Sequence, residues 1–266
     1  MRPALLAIAV VLLPSLALAD AFRDAQLKYP RVKKAFENKG EKMRVLFREK
    51  GLAWPPKGIA LRVFKQEKVL ELWGQEPGGT FRKVWEYPVC ATSGTLGPKR
   101  EEGDLQIPEG FYTVSVFNPW SNFHLSLGVS YPNASDRLLG TKGRLGGAIM
   151  IHGSCVTIGC VPITDDFIEE VYVAAVEAHA AGQRQIPIHI FPARLTDEGL
   201  AALARATTDE KLVAFWRELK VGHDLFEKDR RVPRFSVDRD GRYRFAGGTA
   251  SSARNTSHTP LESRAK

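Results

Sequence analysis

The spacing of apolar positions changes along the chain, and each change predicts a different kind of element. Between residues 21 and 50, apolar residues recur at helical intervals among many charged side chains, and these are Val32, Phe36, Met43 and Phe47. This periodicity predicts helices. Pro30 suits a first helical turn, whereas Gly40 is expected to divide the segment into two helices.

From residue 59 onward the pattern becomes that of β-strands. Short runs rich in β-branched and aromatic residues alternate partly between apolar and polar positions, and Gly, Gln and Pro separate them. The first three runs predict antiparallel hairpins. The predicted strands cover residues 59–65, 69–73, 81–87, 88–92, 111–117, 123–127, 148–151 and 186–191.

Helical spacing returns in the second half of the chain. Residues 165–181 carry one broad apolar stripe, with Thr164 expected as the N-cap and Asp165 and Asp166 at the positive end of the helix dipole. Beyond residue 196 the pattern predicts two helices divided near Thr207, and then a hairpin over 234–245.

Both ends of the chain differ from the globular part. Residues 1–19 combine a positive start, a short apolar run and an Ala-x-Ala ending, which is typical of a cleaved secretory signal peptide. An uncleaved amphipathic anchor is the alternative. The apolar run is shorter than the roughly 20 residues of a spanning helix, so we expect no membrane span. Residues 247–266 are rich in Ser, Thr, Arg and Ala, which predicts a disordered tail.

The net charge of +8 is compatible with nucleic acid, an anionic surface or simple solubility. Export and the lack of an aromatic-basic motif argue against nucleic acid. A carboxylate-rich cell-wall polymer is then the natural anionic partner. The sequence does not determine the oligomeric state.

Three cysteines, Cys90, Cys155 and Cys160, leave at least one thiol without an intramolecular partner. If Cys160 is a nucleophile, Cys90 and Cys155 either form a disulfide or remain buried and reduced. A bond between Cys155 and Cys160 would disable catalysis.

The chemistry is concentrated in residues 147–166. The predicted strand 148–151 delivers His152 and Gly153 to its end, and a polar loop then presents Thr157, Gly159 and Cys160. A thiol and an imidazole held eight residues apart suit a cysteine nucleophile activated by histidine. The alternatives are a metal site and a structural cysteine pair. A zinc site needs about four ligands, and this stretch offers at most three, so we expect no metal and no cofactor.

These residues carry a family resemblance. The motif His152-Gly153 followed by Thr157-Ile158-Gly159-Cys160 resembles the signature of the L,D-transpeptidase (YkuD-type) catalytic domain family. The upstream segments 93–112 and 131–136 fit the same family, the second of them its YafK-type branch. Ile158 and the Val161-Pro162 pair depart from the residues that many members carry there.

The resemblance implies an α+β fold: a mainly antiparallel or mixed β-sandwich with a helix after the catalytic cysteine and flanking N- and C-terminal helices. The expected organisation is a signal peptide (1–19), a helical N-terminal arm (20–57), a catalytic domain (58–195), a helical C-terminal extension with a hairpin (196–246) and a disordered tail (247–266).

Roles for individual residues follow from the thiol chemistry and the resemblance together. Cys160 is the expected nucleophile, with a pKa lowered by His152, which acts as general base and acid. The carbonyl of Gly153 orients the imidazole. Backbone N–H groups around Gly159 and Cys160 form the oxyanion hole, and Thr157 positions the loop or the substrate. Candidate substrate contacts are Lys99, Arg100, Pro108, Glu109 and Arg144.

The implied substrate is a peptidoglycan stem peptide, attacked to give a thioester acyl-enzyme. Transfer to an amine is the first expectation. The alternatives are YafK-like hydrolysis that releases a wall-linked lipoprotein or trims stem peptides as an L,D-carboxypeptidase. A non-catalytic cell-wall binding module and a secreted metal-binding protein are hypotheses from other classes.

Overall fold

The structure, a computed structural model, describes residues 15–246, with side chains from residue 21 onward. The predicted signal peptide lies largely outside these residues, and the predicted disordered tail lies wholly outside them. The described chain folds into three layers, with helices on both faces of a mixed β-sheet.

The first layer consists of three helices, α1 (Ser15–Leu27), α2 (Pro30–Glu49) and α4 (Thr164–Ala180). Helix α4 is buried on almost every side because it lies between the other two helices and the sheet. A single core joins α2, α4 and the sheet through residues such as Met43, Phe47, Leu61, Val171 and Ile188.

The sheet contains eight strands in the order β3-β2-β1-β8-β4-β5-β6-β7. Most neighbours are antiparallel, and the pairs β1–β8 and β6–β7 are parallel. The strands are β1 (Ile59–Phe64), β2 (Val69–Gln75), β3 (Phe81–Pro88), β4 (Gly110–Asn118), β5 (Ser126–Val129), β6 (Met150–His152), β7 (Val161–Pro162) and β8 (Pro187–Phe191). The short helix α3 (Ala134–Leu139) follows β5.

The third layer covers the opposite face of the sheet. It consists of α5 (Asp197–Arg205), α6 (Glu210–Asp229) and the hairpin β9 (Phe235–Val237) with β10 (Tyr243–Phe245). A second core joins Phe64, Phe111 and Phe191 of the sheet to Trp216 and Leu219 of α6. Because helices cover both faces, β1 is buried at every position instead of alternating.

The predicted α+β class is therefore confirmed: a mixed, mainly antiparallel sheet, a helix that follows Cys160 after the short strand β7, and helices that precede and follow the strands of this sheet in the chain. The expected sandwich takes the form of one continuous sheet, whose register shifts within β4 between Val114 and Phe117. The helices after residue 196, their division near Thr207 and the hairpin are also observed.

Four local predictions were wrong. Helix α2 continues through Gly40, because burial of one face against α4 outweighs a glycine cost of about 1 kcal/mol. Residues 88–92 form no separate strand, since the N–H groups of Val89 and Cys90 bond to two different segments. The strand expected at 123–127 begins at Ser126. Thr164, the expected N-cap of α4, is instead its first helical residue and has a positive φ of 68°. The N-cap is Ile163, which makes no side-chain capping hydrogen bond.

Candidate active site

The register of two neighbouring strands brings His152 and Cys160 together. Strands β6 and β7 run parallel at one edge of the sheet, with Ile151 paired to Val161 and His152 paired to Pro162. Cys160 directly precedes β7, so it lies beside Met150. Because side chains alternate along a strand, Cys160 and His152 lie on the same face, roughly 8 Å apart at Cα from strand spacing and rise.

His152 is held as a neutral base. Its Nδ1 lies 2.5 Å from the carbonyl oxygen of Gly153. A carbonyl only accepts, so Nδ1 carries the proton and the neutral ring has its lone pair on Nε2. The side chain is buried, and this burial lowers the pKa of His152, although the bond to Gly153 opposes the shift. The orienting role of the Gly153 carbonyl, expected from the resemblance, agrees with this geometry.

The sulfur of Cys160 contacts backbone groups at the start of β6. The N–H of Met150 donates to Sγ at 3.4 Å, and the thiol donates to the carbonyl of Ala148 at 3.7 Å. Burial raises the pKa of Cys160, whereas the Met150 N–H and the charge of Lys99 lower it. The lowered pKa that the sequence predicted is therefore wrong for this state, and the pair rests as thiol and neutral imidazole.

The loop before Cys160 is organised by one hydroxyl. Thr157 Oγ1 accepts from the N–H groups of Gly159 at 3.1 Å and Cys160 at 2.8 Å, and it donates to the Cys160 carbonyl at 2.8 Å. Gly159 has a φ of 132°, a conformation that favours glycine. The two N–H groups expected in an oxyanion hole are thus engaged by Thr157, and an oxyanion there would have to displace that hydroxyl.

A disulfide anchors the other end of this loop. Cys90 and Cys155 are bonded, with a Cα–Cα distance of 5.6 Å, and Cys160 remains a free thiol. Of the two states left open by the sequence, the structure contains the bonded one. The bond ties the loop 153–160 to the segment that follows β3.

Lys99 and Arg100 lie in a loop organised by Asp104. The Asp104 carboxylate accepts from Lys99 Nζ at 2.6 Å and from the backbone N–H groups of Arg100, Glu101 and Gln106. These bonds lower the pKa of Asp104, against its partial burial. Lys99 is almost fully buried but acts on the pKa of Cys160 through its charge, so this loop lies beside the thiol.

The remaining candidate contacts differ in accessibility. Arg100 pairs with Asp136 at 3.2 Å, and Arg144, which is exposed, pairs with Glu101 at 2.7 Å. Pro108 is buried, and Glu109 is completely buried. The carboxylate of Glu109 accepts from Lys65 Nζ and the Gly97 N–H on one oxygen and from Trp216 Nε1 on the other. Direct contact of Glu109 with substrate would require this loop to open.

Two residues near the imidazole have roles that the sequence pattern did not predict. The Phe123 ring stacks on His152 with the ring centroids 4.7 Å apart and the planes 30° apart. The Asp165 carboxylate, besides starting α4, accepts from the Ser154 N–H at 2.7 Å and so fixes the turn after His152. The sequence could not predict the stacking of Phe123 on His152, because such a contact depends on tertiary structure.

The described residues lack two kinds of feature. They contain no group of three or more His, Cys, Asp and Glu side chains arranged to hold a metal ion. None of their helices combines the length and apolarity of a membrane-spanning segment.

A free thiol and a neutral imidazole on one face of adjacent strands, connected by a loop that a disulfide anchors, define a candidate cysteine-dependent catalytic domain. The model of the YkuD family, the L,D-transpeptidase catalytic domain, matches residues 61–183. The chain is 35% identical over 187 residues to a protein of Escherichia coli K12 named "Putative L,D-transpeptidase YafK", covering 70% of this chain and 72% of that protein. The same protein from Escherichia coli O157:H7 matches equally. The chain therefore belongs to the L,D-transpeptidase catalytic domain family.

Solved structures show a more distant similarity. The helical cell shape determining protein Pgp2 of Campylobacter jejuni aligns at 20% identity with a TM-score of 0.42, covering 68% of this chain and 73% of that one. Bd1075 of Bdellovibrio bacteriovorus aligns at 22% identity with a TM-score of 0.37, covering 63% and 59%.

Proposed function

We propose that the chain catalyses acyl transfer on peptidoglycan stem peptides through a thioester acyl-enzyme at Cys160. The observation that carries the proposal is the pairing of β6 with β7, which places the free thiol and the neutral base on one face. Membership of the L,D-transpeptidase catalytic domain family supports the substrate class.

The resting protonation states favour a coupled first step. As the sulfur attacks an amide carbonyl, the thiol proton moves to Nε2 of His152, which has its lone pair free because Nδ1 donates to Gly153. The imidazolium then protonates the leaving amine as the C–N bond breaks, and the thioester remains. Burial opposes charge on each partner before attack, which favours proton transfer that accompanies the formation of the C–S bond.

The acceptor of the acyl group decides between transfer and hydrolysis. An amine gives a new amide, whereas water gives hydrolysis of the kind that would release a wall-linked lipoprotein or trim a stem peptide. Ile158, which is 79% exposed beside the nucleophile, adds apolar surface to the site entrance. We assign transfer as the principal reaction, and hydrolysis is the alternative that the product analysis below distinguishes.

The proposed site of action is the periplasm, reached through a cleaved signal peptide at residues 1–19. The composition of that segment supports this location. Sequencing the N-terminus of the protein recovered from the periplasm tests it, with Asp20 as the expected first residue.

The test is mass spectrometry of defined muropeptides, with and without an attached lipoprotein peptide, after incubation with the full chain. Transfer predicts crosslinked products, and hydrolysis predicts trimmed stems or released peptide. Cys160→Ala is expected to abolish turnover and the thioester adduct while the chain remains folded by circular dichroism. Muropeptides that bind but remain unchanged with the wild-type chain would indicate a wall-binding module and refute the proposal.

A further inference from the structure

The loop between β4 and β5, residues 119–125, covers one face of the imidazole, and we call it the covering loop. It carries Phe123, a residue that is 41% exposed and whose ring stacks on His152. The loop also limits the turn after His152. A Cβ added to Gly153 would lie 2.8 Å from the Phe123 carbonyl oxygen.

Helix α2 holds the covering loop through a side chain in its first turn. Arg31, in the first turn of α2, donates from Nη1 to the carbonyl of Ser121 at 2.6 Å and to the carbonyl of His124 at 2.9 Å. These two carbonyls flank Phe123, so a single guanidinium closes the backbone around it. Tyr29, at the N-cap of α2, packs edge-on against Trp120 of the same loop, with centroids 5.5 Å apart.

A second connection reaches the loop through α4. His124 Nε2 lies 2.9 Å from Glu169 Oε1, and the other oxygen of Glu169 accepts from Asn38 of α2 at 3.2 Å. His124 has a positive φ of 68°, which is uncommon for a residue with a side chain and persists where surrounding contacts hold it. The residue after Phe123 is thus fixed by side chain and backbone together.

We propose that α2 positions the catalytic base: Arg31 holds the covering loop, and Phe123 on that loop holds the His152 ring against the thiol. Arg31 acts only through the covering loop, and Phe123 stacks on the imidazole without taking up a proton or forming a bond, so both are positioning residues. The role rests on the proposed function of His152 as general base. It also gives the N-terminal arm a part in the active site, beyond packing on the domain.

The covering loop also explains the electrostatics of the base. The pKa of His152 is lowered by burial, and no charged side chain contributes to that shift. The carboxylate of Asp165 on α4 accepts from the Ser154 N–H. Removing the Phe123 ring would admit water to the imidazole, which raises the pKa of His152 toward its ordinary value.

The decisive measurement is an NMR titration of the full chain with ¹³C-labelled histidine, with the His152 resonance assigned by a His152→Gln variant. Phe123→Ala is expected to raise the pKa of His152, whereas Phe123→Tyr, which keeps the ring, is expected to leave it unchanged. Arg31→Met is expected to shift the pKa in the same direction. The matched control is Arg44→Met on the same helix, since Arg44 pairs only with Glu41 among the described residues.

Kinetics supply the second readout. Phe123→Ala and Arg31→Met are expected to lower kcat by about 10-fold to 100-fold, the order produced by a small misplacement of a catalytic group. The acid limb of kcat/KM should move to higher pH in both variants and stay in place in Arg44→Met. A lowered melting temperature with an unmoved His152 titration would mean that Arg31 and Phe123 are only structural, and would overturn the proposal.

The titration needs no turnover, so it tests positioning separately from function. If the wild-type chain leaves muropeptides unchanged, the proposed function fails while the His152 shifts can still be observed. If turnover depends on Cys160 but Arg31→Met behaves like Arg44→Met in both readouts, the positioning role fails and the function stands.

Discussion

Lys99 shows how a buried charge can act on a thiol without touching it. Its ammonium is fixed by Asp104 and the Glu101 carbonyl, yet its positive charge lowers the pKa of Cys160 against the larger effect of burial. A residue considered from sequence as a substrate contact therefore has a second possible role, that of stabilising the thiolate.

We expect Lys99→Met to raise the pKa of Cys160 further, because the variant removes the favourable charge and keeps the burial. The rate of alkylation by iodoacetamide, followed against pH, should have its midpoint at higher pH than in the wild type. Lys142→Met, a change in an exposed residue, is the control. An unchanged midpoint in Lys99→Met would show that this charge does not reach the thiol.

Gly153 is required by crowding, because a Cβ at this position would meet the Asp165 carboxylate, the Phe123 carbonyl and the His124 side chain. Gly153→Ala is expected to displace the covering loop or the His152 turn and to lower kcat/KM by about 100-fold. Gly147→Ala is the matched control, since its Cβ would meet nothing within 4 Å. Steady-state kinetics on one muropeptide would compare them, and equal activity of the two variants would contradict the steric argument.

At the scale of elements, the disulfide joins the loop 153–160 to the segment after β3 across a sequence separation of 65 residues. The double variant Cys90→Ser/Cys155→Ser is expected to lower the free energy of unfolding by about 2–4 kcal/mol, chiefly by releasing the unfolded chain. In urea unfolding, reductant should lower the free energy of unfolding of the wild type to that of the double variant. Reductant should leave the double variant unchanged, and a wild type indifferent to reductant would refute the stabilisation.

The sequence predicted the elements best where the pattern was long and local. Helix α4, the hairpin strands β1 to β3 and the two C-terminal helices follow directly from apolar periodicity, and the His152–Cys160 pair follows from a short motif. The continuation of α2 through Gly40 could not be predicted, because the stabilising contacts come from α4, more than 120 residues further along the chain.

The finer geometry of the site depended on contacts distant in sequence. Phe123 stacks on His152, and Arg31 reaches carbonyls about 90 residues away. Neither contact leaves a periodic or motif signal. The pKa of Cys160 was misjudged for a related reason, since local spacing gives the neighbours of a thiol but not its burial. Sequence thus identified the chemical groups, and tertiary packing set their protonation.

At the scale of the whole molecule, helix α6 of the third layer contacts the sheet through a buried polar cluster. Arg62 of β1 is fully buried, pairs with Glu227 of α6 at 2.5 Å and lies over the Phe226 ring. His189 of β8 lies among the same aromatic rings, and burial, together with the charge of Arg62, lowers its pKa to about 3. His223 of α6 has a pKa lowered by the same two causes.

These buried histidines are expected to make the packing of the third layer on the sheet less stable in acid. The unfolded chain takes up a proton at His189 near pH 6.5, whereas the folded chain does so only near pH 3. Between these values the unfolded state binds more protons, so this group's contribution is fully favourable above about pH 6.5 and is lost as the pH falls toward 3. Asp136 opposes the trend, because burial raises its pKa to about 6 and the folded state then binds the extra proton.

We therefore expect the free energy of unfolding to depend on pH differently in the wild type and in a variant that lacks the imidazole of His189. His189→Phe keeps an aromatic ring in the cluster and removes the titration, so its free energy of unfolding should fall less steeply with acid than that of the wild type. The difference in slope between about pH 6 and pH 4 should approach 1.4 kcal/mol per pH unit. Asp136 titrates in both chains and cancels in the comparison. Urea unfolding at half-unit pH intervals measures this difference, and parallel curves would show that the pKa of His189 is the same in the folded and the unfolded chain.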